Sequence, residues 1–285
     1  MNTAKVLARA FGVIEQSYTF KDTILYALGV GLGAKPLDPR HLRFLYEAGL
    51  LAMPSMANVL GHPGFWAMDP EYAIDWKKLL HAEQRLTMHT AIPAEGKIES
   101  QIDIMGIRDL GTRGAMMHQR KILKDAASGQ KIATTITSLM LRGDTGTGDH
   151  GEAPDELAKL PETAPDRSVE VEAAEILPLI YRLSGDTNPL HIDPAVAEVA
   201  GFPRPILHGL ATKGIATYAI LSEYCDLDPA RLRSMFLRFS RPVLPGDVLR
   251  FDFWNDTPGT VHFRAAVPAR GFIVLDRGVA EIGPA

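Results

Sequence analysis

The chain has 285 residues, 46% apolar and 22% charged, with a formal net charge of −4 and one cysteine, Cys225. These values describe a soluble globular protein of one or two domains with ample length for a core. They exclude an internal disulfide, argue against a nucleic-acid partner because no basic run exists, and leave no apolar run long enough to span a membrane. Met1 to Gly12 carries Lys5 and Arg9 but no long apolar stretch, so no signal peptide is expected. Ile282-Gly283-Pro284-Ala285 carries no peroxisomal address. The cytoplasm is the expected compartment, with Cys225 a buried, inert thiol.

In chain order, Ser17 to Phe20 reads as a short strand, and Asp22 as the cap of a helix through Ile24, Leu25 and Leu28. Gly29, Gly31 and Gly33 follow a helix rather than a strand, so they mark a helix end and not a dinucleotide fingerprint. Pro39 to Ala48 predicts a second short helix, and Met53 to Leu60 a third apolar segment. Then the pattern alternates: His81 to Ile92, Lys97 to Arg108, Gly114 to Leu123 and Lys131 to Leu141 predict four antiparallel strands. Gly143 to Arg167, dominated by glycine, acid and proline, holds the boundary between a first half (1–145) and a second (169–285), with 146–168 as linker.

The second half repeats the order of the first. Val169 to Ile176 predicts a strand, Ala195 to Ala200 a short helical piece, and Gly201 to Pro205 a break. A helix starts at His208 and runs to Ile220 and Leu221; strands follow at Ser234 to Arg241, Val248 to Trp254, Thr260 to Val267 and Phe272 to Ile282. Tyr26 and Tyr181 stand 155 positions apart, Pro93 and Pro245 152. So stable an offset argues for an internal duplication of α+β type, each copy a curved antiparallel sheet wrapped on one long helix.

The functional candidates cluster in one stretch. Gly185 and Pro189 punctuate Ser184 to Leu190, and Asn188 before a proline is pushed towards extended backbone, which makes a shaped loop. Asp186 and His191 lie five positions apart on it. Gly209 opens a helix, where free N–H groups suit a developing negative charge. Taken singly, Asp186 reads as a turn cap and His191 as a satisfied core histidine. A metal site from His191, Asp193 and His208 matches no familiar ligand spacing, and none is expected; Asp193-Pro194 more simply caps the next helix.

The run from Tyr181 to His191, with Ala195 or Ala197 after it, closely resembles the hydratase-2 motif of the MaoC-like dehydratases, R-specific enoyl-CoA hydratases of the hot-dog fold. The resemblance implies a double hot-dog whose second copy alone keeps the motif. The first copy, with Gly29-Val30-Gly31 at the matching place, becomes a pseudo-site remodelled for the acyl chain. It implies that Asp186 and His191 share the proton traffic of one water, giving syn addition and an R-3-hydroxyacyl product; which residue takes the proton stays open. Asn188 would orient the loop or the water, and the Gly209 N–H would be the oxyanion donor. Tyr181, Pro189, Leu190, Phe239, His81 and Ala82 join as substrate-binding residues. Phe239, within Arg238 to Val243, would lie along the pantetheine. His81-Ala82-Glu83-Gln84 is similar to a His-Gly-Glu-Gln stretch that borders the ligand in two-domain relatives, with alanine here for glycine. Leu110 stands where such relatives often carry a lysine.

Arg204, Lys213 and Arg241 are candidates for the CoA phosphates by charge, or else solvated surface charges. His208 reads as structural. The expected reaction uses no metal or redox cofactor, coenzyme A being part of the substrate, and a homodimer is expected on the fused pair. Three rivals remain. One is a dehydratase for a branched, dicarboxylic or steroid side-chain thioester. Another is a non-catalytic acyl-CoA binding module. The last, a thioesterase, would need a carboxylate that Leu210 to Tyr218 does not supply.

Overall fold

The computed structural model describes residues 1–284; Ala285, the last residue of the expected second half, lies outside them. The first half comprises α1 (Thr3–Leu7), β1 (Val13–Tyr18), α2 (Phe20–Gly29), α3 (Pro39–Leu42), β2 (Leu79–Met88), β3 (Gly96–Asp109), β4 (Ala115–Asp125) and β5 (Lys131–Leu141). A two-residue strand β6 (His150–Gly151) pairs with β3. The second half comprises β7 (Arg167–Glu172), α4 (Leu177–Tyr181), α5 (Pro194–Val199), α6 (Gly209–Tyr224), β8 (Leu232–Phe239), β9 (Val248–Asn255), β10 (Thr260–Val267) and β11 (Phe272–Ile282).

Apart from β6, the strands form one continuous antiparallel sheet in the order β1-β3-β4-β5-β2-β8-β11-β10-β9-β7. The two halves read as mirror orders that meet at β2 and β8, where Glu83 pairs with Arg238 and Leu86 with Met235. Helix α6 lies in the core, with every residue from Ala211 to Leu221 buried. Ala211, Ile215, Ala216, Ala219, Ile220 and Leu221 cover it on all sides, the signature of an interior helix.

The offset of 155 has a direct structural counterpart. Three pairs of residues 155 apart touch each other: Tyr26 and Tyr181, with ring centroids 5.8 Å apart; Asn58 and Lys213, hydrogen-bonded at 3.3 Å; and Glu83 and Arg238, paired at 2.6 Å. Equivalent positions meet each other only on a two-fold axis, so the pseudo-dyad of the duplication runs through these pairs.

The first half departs from its copy in one element. No long helix matches α6; the corresponding stretch forms only a 3₁₀ helix, Pro54–Asn58, because Gly61, Pro63, Gly64 and Pro70 interrupt the chain beyond it. Local boundaries also move. The strand expected over 17–20 lies at Val13–Tyr18, and Thr19, not Asp22, is the N-cap of α2. Asp22 sits inside the first turn and accepts the Thr19 N–H (2.7 Å) and hydroxyl (2.8 Å). The helix expected from Pro39 to Ala48 stops at Leu42, and the strand expected to reach Ile176 ends at Glu172, with α4 beginning at Leu177. No helix among the described residues is long and apolar enough to cross a membrane.

Helix α6 approaches the end of α2 closely at Gly214. A Cβ there would stand 2.3 Å from Val30 Cγ1 and 2.8 Å from its Cβ. Gly214→Ala is therefore expected to lose about 1–3 kcal/mol by overpacking, read as a lower denaturant midpoint at an unchanged slope.

Candidate active site

After Tyr181 the chain makes a short 3₁₀ turn, Arg182–Ser184, and Gly185 takes a left-handed conformation (φ 118°) that side chains rarely adopt. Asp186 follows, exposed, with Oδ1 accepting the Asn188 N–H at 3.2 Å. Asn188 caps the next turn, its Oδ1 accepting the Leu190 N–H at 3.1 Å, and Pro189 opens that turn. His191 thereby points inward, only 8% exposed. Asp193 caps α5 through the Ala195 N–H (2.9 Å), with Pro194 at the first helical position as expected.

The hydrogen bonds assign the tautomers. His191 Nδ1 lies 2.8 Å from the Ile206 carbonyl, which only accepts, so Nδ1 carries the hydrogen and Nε2 is left with a lone pair. His208 Nε2 donates to the Asp186 carbonyl at 3.1 Å and so ties the α6 start to the loop. The two imidazoles stack, with centroids 3.8 Å apart and planes 27° apart, and Tyr181 packs on His208 at 5.0 Å. Burial lowers the pKa of both rings, and His191 lowers that of His208 further, so both are neutral near pH 7.

Asp186, His191 and His208 each bring a side-chain ligand atom within 4.8 Å of the others. His208 Nε2 is already committed to the Asp186 carbonyl and His191 Nδ1 to the Ile206 carbonyl, which leaves the Asp186 carboxylate and His191 Nε2 as neighbouring acceptors.

The oxyanion candidate stands beside them. His208 is the N-cap of α6, and Gly209, exposed, is its first residue, whose N–H has no intrahelical partner by position. A Cβ on Gly209 would sit 3.6 Å from the Phe239 ring, so glycine leaves that approach open. Phe239 meets His81 edge-on at 4.7 Å. Ala82 occupies the irregularity where the β2–β5 register shifts between His81 and Glu83. Asp186, His191, Gly209, Phe239 and His81 thus converge, while Pro189 is exposed at the turn and Leu190 half-buried.

Lys213 overturns one expectation. Offered as a phosphate contact or a solvated surface charge, it is fully buried, because α6 has no solvent-facing side at that turn; its Nζ donates to Asn58 Oδ1. Arg204 is engaged with Glu175 at 3.7 Å, and Arg241 lies over the Phe272 ring at 5.3 Å. Sequence reasoning passed over Asn58, which meets Lys213, and Lys121, which donates to the Asn58 carbonyl. For Lys121 a signal existed: it shares the inward period of Met117, Gln119 and Leu123 on β4.

Two family models divide the chain, MFE-2 hydratase 2 N-terminal domain over residues 16–143 and MaoC like domain over 156–267. A probable enoyl-CoA hydratase 2 from Dictyostelium discoideum is 36% identical, over 100% of this chain and 97% of that protein. The chain belongs to the MaoC-like hydratase 2 family of hydro-lyases. A second relative in this family, 3-hydroxyacyl-thioester dehydratase Y of Mycobacterium tuberculosis, is 38% identical over 93% of this chain and 92% of its own. The crystal structure of a MaoC-like dehydratase from Phytophthora capsici superposes with a TM-score of 0.88 at 29% identity, covering 99% of both chains. A conserved hypothetical protein of Mycobacterium tuberculosis, with a TM-score of 0.58 at 14% identity over 96% of this chain and 98% of that one, has a double hot-dog fold, the architecture of this hydratase 2 chain.

Proposed function

We propose that this protein hydrates trans-2-enoyl-CoA to (3R)-3-hydroxyacyl-CoA, and catalyses the reverse dehydration, through one water held between Asp186 and His191. The observation that carries the reading is the His191 tautomer: Nδ1 is committed to Ile206, leaving the Nε2 lone pair beside the Asp186 carboxylate.

Both groups accept hydrogen bonds, so a water donating one hydrogen to each turns its oxygen lone pair towards the substrate β-carbon. As the C–O bond forms, His191 Nε2 takes one proton and Asp186 keeps its hydrogen bond to the hydroxyl that remains. The electrons of the double bond move to the thioester oxygen, where the Gly209 N–H and the α6 dipole stabilise the enolate by a few kcal/mol. The proton then passes from His191 to the α-carbon on the same face. Water is consumed once, syn addition results, and both side chains return to their starting state. Neither metal nor redox cofactor enters this scheme.

In this reading the first half supplies the acyl pocket and no second reaction centre. The positions 155 before Asp186 and His191 are Gly31 and Pro36, which offer no acid or base. A cavity of about 140 Å³, lined by Tyr26, Met56, Leu60, Leu183 and Gly185 among others, lies between the halves beside the loop and suits the start of an acyl chain.

The test is loss of enoyl-thioester absorbance with purified protein and a series of enoyl-CoA esters, followed across pH. Turnover is expected, with kcat/KM constant near neutrality. It should fall on the acid side with an apparent pKa below the ordinary imidazole value of 6.5, because burial lowers His191 and only the neutral ring accepts a proton. No turnover with any ester, or an acid limb above 6.5, would overturn the assignment.

A further inference from the structure

Outside the reacting pair, the interior along α6 holds polar groups that hydration does not use. Lys213 follows Gly209 by four residues, on the same helical face and about 6 Å further along the axis. It is fully buried, and its Nζ reaches Asn58 Oδ1 at 3.3 Å. Lys121, from β4, is 4% exposed and donates to the carbonyls of Asn58 (3.0 Å) and Leu60.

Among the described residues neither ammonium has a carboxylate partner; desolvation dominates both, and Lys121 disfavours the charge on Lys213. Two amines, like-charged when protonated, thus share the interior with neutral oxygens as their hydrogen-bond partners. Such a pair is costly unless an anion joins it.

The surrounding polar groups face mainly one another, Tyr26 towards Ser55 and Tyr181, and His81 towards Gln84. Among the described residues, Nε2 of His81, Oγ of Ser55 and the hydroxyls of Tyr26 and Tyr181 are buried with no hydrogen bond of good geometry. Tyr26, Tyr181 and Ser55 are each at most 1% exposed. Contacts link several of these groups to α6 and to the catalytic loop. Tyr181 packs on His208 at the catalytic loop and on Tyr26, whose hydroxyl comes within 3.6 Å of a Cβ placed on Gly214. On the other side Phe239 leads from Gly209 to His81, whose ring is in turn influenced by Lys213.

An acyl tail that followed α6 inward from a thioester at Gly209 would reach this cluster. A hydrocarbon end would leave the ammoniums and hydroxyls as they are. A carboxylate end would give each cation a charge-assisted hydrogen bond and the hydroxyls an acceptor. We propose that Lys213 and Lys121, bridged by Asn58, form the terminal subsite of the acyl pocket and select enoyl thioesters whose far end carries a carboxylate. This rests on the hydratase reading for the orientation of the thioester.

Equilibrium binding of saturated CoA thioesters, which have no double bond to hydrate, tests the subsite separately from catalysis. Over a series of chain lengths, each monoester of a dicarboxylic acid is compared with the alkyl ester of equal length, and turnover of the short unsubstituted enoyl ester is recorded alongside. At one or more lengths the wild type is expected to bind the carboxylated ester about tenfold or more tightly than its alkyl match. Lys213→Met is expected to remove that difference, with thermal melts recording that the variant is folded. Equal binding of the two esters at every length by the wild type overturns the subsite, whether or not any variant folds. A preference that survives in both Lys213→Met and Lys121→Met overturns it too. Absence of turnover with measurable preference would instead remove the hydratase reading and leave the anion subsite standing.

Discussion

His191→Ala and Asp186→Asn are each expected to lower kcat for enoyl-thioester hydration on the order of a thousandfold while the protein stays folded. The two substitutions remove different things. His191→Ala deletes the one neutral ring nitrogen of the loop that faces the Asp186 carboxylate, and it also deprives the Ile206 carbonyl of its donor and His208 of its stacking partner. A stability loss of about 1–2 kcal/mol should therefore accompany it. Asp186→Asn keeps an oxygen to accept the Asn188 N–H, so the loop is preserved and only the charge and one acceptor are lost. Because both groups act on one water, the double variant should be scarcely slower than the slower single one. Initial rates from the enoyl-thioester absorbance, with melts for each variant, check this. Full additivity of the two losses, or activity within tenfold of wild type in either variant, would contradict a shared water.

Lys213→Met is expected to raise stability by a few kcal/mol at pH 6–7, and by less as pH rises. Burial pushes the Lys213 ammonium down to about 7 in the fold, against about 10.4 in an unfolded chain. Between those values the unfolded chain binds more protons than the folded one, so this residue makes stability increase with pH from about 7 to about 10. Below about 7 both states are protonated and the full penalty of the buried cation is present. Methionine of similar length fills the space without that penalty, offset in part by leaving Asn58 Oδ1 without its donor. Denaturant unfolding of both proteins at several pH values gives the difference directly. A variant less stable than wild type at pH 6, or a difference that grows with pH, would mean that the lysine is already satisfied inside the fold. A residue retained against stability is more readily understood as serving a ligand.

Much of this architecture was legible from residue order. The strands over 131–141, 260–267 and 272–282 coincide with β5, β10 and β11, because period-2 alternation and turn residues act locally. The pairing of Asp186 with His191 was legible because loop punctuation and a long motif place both on one short segment. What escaped was set by contacts distant in sequence. Nothing near Lys213 says that its helix is enclosed on every side, since the enclosing residues come from both halves. His208 reads as structural, but its partner was not legible: it stands at the N-cap position of α6 and its ring donates to the Asp186 carbonyl across 22 positions. The missing helix of the first half could have been anticipated from Gly61, Pro63 and Gly64, but the repeat argued the other way, and the local breakers won.

The pseudo-dyad carries an evolutionary consequence. In a symmetric pair of separate chains, a residue on the axis always faces its own twin, so a carboxylate there would confront a carboxylate and an ammonium another ammonium. Joining two copies into one gene frees the twins to mutate independently. In this chain the axis now bears Glu83 against Arg238 and Asn58 against Lys213, unlike pairs that no homodimer could have installed. The same freedom lets one copy keep Asp186, His191 and the start of α6 while the other lacks a matching long helix.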